Sequence, residues 1–97
     1  MLQIEVKPCR LVPVKNFVCE EDERGRLVCE LDGGRIVFDQ HGGRVSVDVL
    51  YDIMPDYGTH AGPFSSVEDA AYGITHGVIP RRLAALLYAN GILAESE

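Results

Sequence analysis

The sequence predicts an α+β domain: an antiparallel β-meander of four to five strands, followed by two short helices packed on the sheet. Three observations predict it. Up to Tyr51 the apolar residues recur with period two between glycine-rich turn signals. After Phe64 their spacing lengthens to that of a helix. At 97 residues the chain has room for a single domain, 1–97, with one modest core.

Leu2, Ile4 and Val6 alternate with polar residues, so 2–7 is expected as a strand with one buried face. Pro8 and Pro13 mark an edge position or a bulge, because proline gives no N–H to a ladder. Val14–Glu20 is expected as the second strand, Glu21 to Gly25 as its turn and Arg26–Leu31 as the returning strand. A three-residue loop at that tip sets Cys19 opposite Cys29. Asp32-Gly33-Gly34 is a tight-turn signal, followed by a strand over Arg35–Asp39. Gln40-His41-Gly42-Gly43 makes the next turn. Arg44–Tyr51 then places Val45, Val47 and Val49 on one face, and Ser46 and Asp48 on the other.

From Asp52 to Phe64 the alternation breaks. Pro55, Gly58, Gly62 and Pro63 predict a long loop, the kind that is usually functional or mobile. Ser65 and Glu68 form a capping box that opens the first helix, with Val67, Ala70, Ala71 and Ile74 on its inner face. Gly73 weakens this helix and Gly77 is expected to end it. Pro80 suits the first turn of the second helix, Leu83, Leu86 and Leu87 form its inner stripe, and Asn90-Gly91 stops it. Ala94 to Glu97 are expected to fray.

Hydrophobic residues make up 46% and charged residues 25%, values of a globular chain rather than a disordered one. The start lacks the basic-then-apolar layout of a signal peptide, and the longest apolar run, Leu83 to Ala94, is too short to cross a bilayer. A soluble, cytoplasmic protein is the expectation. The three cysteines are an odd set, spaced ten residues apart, and are expected as reduced thiols rather than as zinc ligands. Gly33-Gly34 and Gly42-Gly43 lie between strands, whereas phosphate cradles lead from strand into helix. Ser65 and Ser66 are explained as caps, and no Gly-x-Ser-x-Gly elbow is present. No catalytic residue, metal or cofactor is therefore expected.

Charge distribution is the most informative functional signal. The formal net charge is −6, Glu20-Glu21-Asp22-Glu23 is one acidic run, and no Lys or Arg occurs from Val45 to Pro80. Such a surface repels phosphate backbones and attracts basic ones, so direct nucleic-acid binding is not expected. Carboxylates on a protruding hairpin can copy phosphate spacing in a basic groove. On the first helix Asp69, Tyr72 and His76 fall opposite the apolar stripe; on the second, Arg81 and Tyr88 share an outer face. Arg81 opposes the helix dipole from the first turn, and Tyr and Arg often carry interface energy.

These residues together predict a non-enzymatic acidic module that docks on a protein partner with a basic surface. In small size, acidity and lack of motifs the chain resembles phage-encoded inhibitors, including DNA mimics and anti-CRISPR proteins. That resemblance implies a partner that binds nucleic acid. The alternative from a different class is an assembly protein, forming a homo-oligomer through a strand edge or a helix face.

Overall fold

The computed structural model describes residues 10–96. In chain order the elements are β1 (Arg10–Pro13), β2 (Glu20–Glu21), β3 (Leu27–Leu31), β4 (Gly34–His41), β5 (Arg44–Tyr51), β6 (Met54–Phe64), α1 (Val67–Gly73), α2 (Arg81–Ala89) and β7 (Leu93–Ser96). Strands β2 to β6 form a five-stranded antiparallel sheet in sequence order, a continuous meander. β1 pairs with β7 in a separate two-stranded ribbon. The expected α+β class is seen, with a meander followed by two short helices; the strand β7 after α2 is not part of that expectation. The strand expected over 2–7 lies outside the described residues.

Register explains which face is buried. Leu27 stands opposite Phe38, Phe38 opposite Val47 and Val47 opposite Ala61; one step along, Cys29, Ile36, Val49 and Thr59 form a second row. Residues opposite one another share a face, so these rows make one apolar surface. Ala70 of α1, Ile74 just after it, and Leu83, Leu86 and Leu87 of α2 complete the core with Ile92 and Leu93. Each fully buried leucine contributes about 1.5–3 kcal/mol of transfer free energy. The opposite face carries Glu30 paired with Arg35 at 3.8 Å, Asp48 paired with His60 at 2.7 Å, and Leu50 left 42% exposed.

Five sequence expectations change, the last at Pro80. Residues Asp52 to Phe64 are not a loop: Met54–Phe64 is an edge strand on β5. Its prolines are tolerated because an edge strand has one side without a ladder. Its glycines mark close approach, since a Cβ on Gly58 would lie 3.0 Å from the Val49 carbonyl oxygen. Gly62 has φ +122° beside a register shift between Val45 and Val47. Secondly, Val14–Glu20 does not form the expected strand. Val14 instead extends the ribbon, its N–H donating to the Ile92 carbonyl at 2.8 Å. Phe17 turns inward to meet the Phe38 ring edge-on at 5.8 Å, and only Glu20–Glu21 pairs with β3.

Thirdly, Ala94 to Ser96 are not frayed, while Glu97 lies outside the described residues. Gly91 at φ +73° turns the chain back after α2, so that Leu93, 1% exposed, enters the core and Leu93–Ser96 pairs with β1. Fourthly, both ends of α1 shift. Ser66, not Ser65, is its N-cap, the hydroxyl accepting from the Asp69 N–H at 3.0 Å. The helix ends at Gly73, before Gly77; Ile74 caps it, and the Tyr72 carbonyl accepts from both Thr75 and His76. Pro80 caps α2 from just outside rather than within its first turn.

Gly73 has a reason that its helix propensity hides. A Cβ there would lie 2.5 Å from Cε1 of Phe64, so the glycine is the seat on which the β6 ring rests. Gly73→Ala therefore destabilises the fold in spite of the ~1 kcal/mol that alanine gains in a helix. In chemical denaturation the midpoint falls, and adding Phe64→Leu to Gly73→Ala recovers part of the loss.

Candidate protein-binding surface

The acidic run begins in β2 and continues into the turn of the β2–β3 hairpin: Glu20 and Glu21 are the strand, Asp22 and Glu23 enter the turn, and the four divide into two roles. The Asp22 carboxylate faces back into the turn: Oδ1 accepts from the N–H groups of Arg24 at 2.9 Å and Arg26 at 2.8 Å. Oδ2 accepts from Nε of Arg26, also at 2.8 Å. Side-chain bonding to the backbone two to four residues on is what makes aspartate a turn former. Glu20, Glu21 and Glu23 are exposed. Asp22 fixes the tip and its neighbours present charge from it.

Partial desolvation of Asp22 works upward on its carboxyl, yet the bonds from Arg26 and Arg24 outweigh it and hold the pKa below the usual carboxylate value. A lowered folded-state pKa contributes stability above the ordinary value and loses it as pH falls through the lowered one.

A second feature lies beside this hairpin. The irregular segment Val14–Cys19 stands apart from α1, and the gap between them is an open groove of about 840 Å³. Phe17, Leu27 and Phe38 give it an apolar floor, and Val67 and Ala71 line its α1 side. Lys15, Glu68, Tyr72 and His76 also line it. Tyr72 and His76 stack with ring centroids 3.7 Å apart and planes 10° from parallel, while Tyr72 remains 62% exposed. His76 Nδ1 lies 3.0 Å from both the Tyr72 carbonyl and the Thr75 hydroxyl. One turn earlier, the Asp69 carboxylate accepts a hydrogen bond from the Ser65 hydroxyl.

The structure thus brings Tyr72 and His76 together at one lip of the groove. Arg81 and Tyr88 are exposed on α2 and do not line it. Sequence reasoning missed Phe17, Leu27 and Phe38 as a floor. The signal was Phe17 itself, which shares its parity with Cys19 and so falls on the inward face of the strand expected over Val14–Glu20. A separate aromatic set sits at the β5–β6 end, where the Arg82 guanidinium lies 5.5 Å above the Tyr57 ring and Tyr57 stacks on Tyr51 at 6.4 Å.

Cys19 also lines the groove, and it interacts with the buried Cys29 on β3. Burial pushes the Cys19 thiol up to about 11, with Cys29 adding to the shift. Burial likewise raises Cys29, against the N–H of Val18 and the Cys19 thiol, which work downward. Among the described residues no group of three or more His, Cys, Asp or Glu side chains is arranged to hold a metal ion. Among the same residues no helix is long and apolar enough to cross a membrane. No protein-family model, no curated protein and no solved structure matches the chain.

Replacing Asp22 with alanine removes the acceptors that hold the tip, and acidification does the same to the native residue. Amide hydrogen exchange at Arg24 and Arg26 accelerates in Asp22→Ala at neutral pH. In the native protein those amide NMR shifts titrate with a midpoint below the ordinary aspartate value. A midpoint at or above that value would show that the carboxylate is not held by these donors.

Proposed function

We propose that the chain is a non-enzymatic binding module that docks on a basic surface of a protein partner. The observation that carries this reading is the braced hairpin tip, where Asp22 holds the turn and Glu20, Glu21 and Glu23 extend into solvent. A preorganised charge cluster loses less entropy on association than a flexible one. It also steers encounter with a basic surface and penalises wrong partners. The absence of Lys and Arg from Val45 to Pro80 extends the acidic character over β5, β6 and α1. Asp69, Tyr72 and His76, with Arg81 and Tyr88 on the second helix, supply exposed contact groups of the kind that carry interface energy.

In its finer form the proposal is an inhibitor. The acidic tip would occupy a groove in which the partner otherwise holds a phosphate backbone, as DNA mimics and anti-CRISPR proteins do. Such binding excludes nucleic acid from the partner without this chain touching nucleic acid itself.

The assembly reading keeps one specific support: β6 is an eleven-residue strand at an open edge of the sheet. An open edge is a template for pairing with another copy. Pro55 and Pro63 and the register shifts blunt that edge. A concentration-independent monomer by light scattering would remove this alternative.

The docking reading is tested by capture from host lysate at low and high salt, followed by affinity measurement on the isolated partner. Glu20, Glu21 and Glu23 are changed together to glutamine, and Asp48, Asp52 and Asp56 to asparagine in a control of equal charge. The tip variant is expected to lose about tenfold in affinity, at up to ~1 kcal/mol for each exposed charge, and to flatten the salt dependence. The control should lose less. Equal losses in both, or salt-insensitive binding untouched by either, would overturn the role of the tip.

A further inference from the structure

The two cysteines meet at a position that the strand register defines. Glu20 pairs with Val28 and Glu21 with Leu27; β2 starts one residue after Cys19, continuing its register by one step leads from Cys19 to Cys29, and the two thiols lie within hydrogen-bonding reach of each other. The Asp22 N–H donates to the Arg26 carbonyl at 2.8 Å, which marks that pair as a hydrogen-bonded one. Antiparallel ladders alternate, so Glu21–Leu27 is non-hydrogen-bonded and Glu20–Val28 hydrogen-bonded, and the continued register makes Cys19–Cys29 a position of the non-hydrogen-bonded kind. At such positions side chains approach most closely, with Cα atoms about 4.5 Å apart, inside the roughly 4.4–6.8 Å that a disulfide spans. Each thiol perturbs the ionisation of the other, as close sulfurs do.

Access to the two is unequal. Cys19 is half-buried and lines the open groove, whereas Cys29 is 2% exposed at the base of a smaller pocket beside Val18, Asn90 and Ile92. An outside reagent meets Cys19 first, and Cys29 is placed to meet whatever Cys19 becomes.

We propose that Cys19 and Cys29 form a reversible intramolecular disulfide by exchange with a low-molecular-weight disulfide, Cys19 attacking and Cys29 resolving. The Cys19 thiolate attacks one sulfur of the reagent, whose S–S bond breaks, leaving a mixed disulfide on Cys19 and one released thiol. The Cys29 thiolate then attacks the Cys19 sulfur, forming the Cys19–Cys29 bond and releasing the second thiol. The protein dithiol loses two electrons and two protons, and the reagent gains both. The product staples the end of the Val14–Cys19 segment, one wall of the groove, to β3. This inference stands whether or not the groove or the acidic tip has a partner.

Its slowness is itself a signature. At pH 8 a thiol with the raised pKa of Cys19 has a thiolate fraction lower by about two orders of magnitude than a free cysteine, and the greater nucleophilicity of that thiolate recovers about one. Cys19 therefore reacts roughly 20-fold more slowly than an unperturbed thiol at pH 8, and its rate keeps rising through pH 9–11.

The test uses the full chain carrying Cys9→Ser, which leaves only this pair, exposed to 2-hydroxyethyl disulfide under native conditions. Intact mass should fall by two hydrogens with no reagent attached, and a peptide map should join Cys19 to Cys29. Adding Cys29→Ser should stop the reaction at one mixed disulfide on Cys19. Adding Cys19→Ser instead should leave Cys29 protected. Unchanged far-ultraviolet circular dichroism and thermal midpoint confirm that each variant is folded. A folded pair that accumulates two reagent adducts, or stays reduced until urea is added, would overturn the proposal.

Discussion

The constraint on which the structure rests is that one meander must bury a single face with only two short helices. The register from β3 to β6 keeps Leu27, Phe38, Val47 and Ala61 in one row and Cys29, Ile36, Val49 and Thr59 in the next. A slip of one residue in any hairpin would turn a whole strand's apolar set toward solvent. α1 spans 7 residues and α2 9, lengths at which helices depend on packing rather than on propensity. The sheet fixes where the helices sit, and the glycine seat at Gly73 sets how closely α1 approaches β6.

That economy leaves surface uncovered, and the uncovered parts are the ones free to meet a partner. α1 covers one region of the inner face, but Phe17 and the Val14–Cys19 segment stand off from it, leaving the groove between. The outer face bears polar pairs such as the hydrogen-bonded Asp48–His60 and the Glu30–Arg35 ion pair. At the hairpin tip the demands of folding and of contact fall on different residues of one acidic run. Asp22 satisfies the backbone; its glutamate neighbours have no such duty.

Much of this was legible in the sequence, for reasons that differ by element. Arg44–Tyr51 was clear because a half-buried strand writes its alternation directly into Val45, Val47 and Val49. The α2 stripe was clear because Leu83, Leu86 and Leu87 match helical spacing and Asn90-Gly91 ends it. Met54–Phe64 was not, because proline and glycine punctuate a loop and a bulged edge strand alike; only the β5 register separates the two. Leu93–Ser96 was hidden because its partner, Arg10–Pro13, lies at the other end of the described chain. The acidic tip and the Tyr72–His76 face were visible as residue types. The groove was not, since it exists only where a non-repetitive segment fails to close on a helix.

The β1–β7 ribbon carries a kinetic meaning. Arg10 pairs with Ser96, whereas the hairpins of the main sheet join residues only a few positions apart. Closing so large a loop costs more chain entropy than closing a two-residue turn, and the ribbon repays it with a single four-residue ladder. It is the part of the molecule expected to zip last and to open first, ahead of global unfolding. Because Val14 hangs from that ribbon through Ile92, each such opening also loosens one wall of the groove. The width of the groove is tied in this way to breathing at the seam where the two ends of the fold are sewn together.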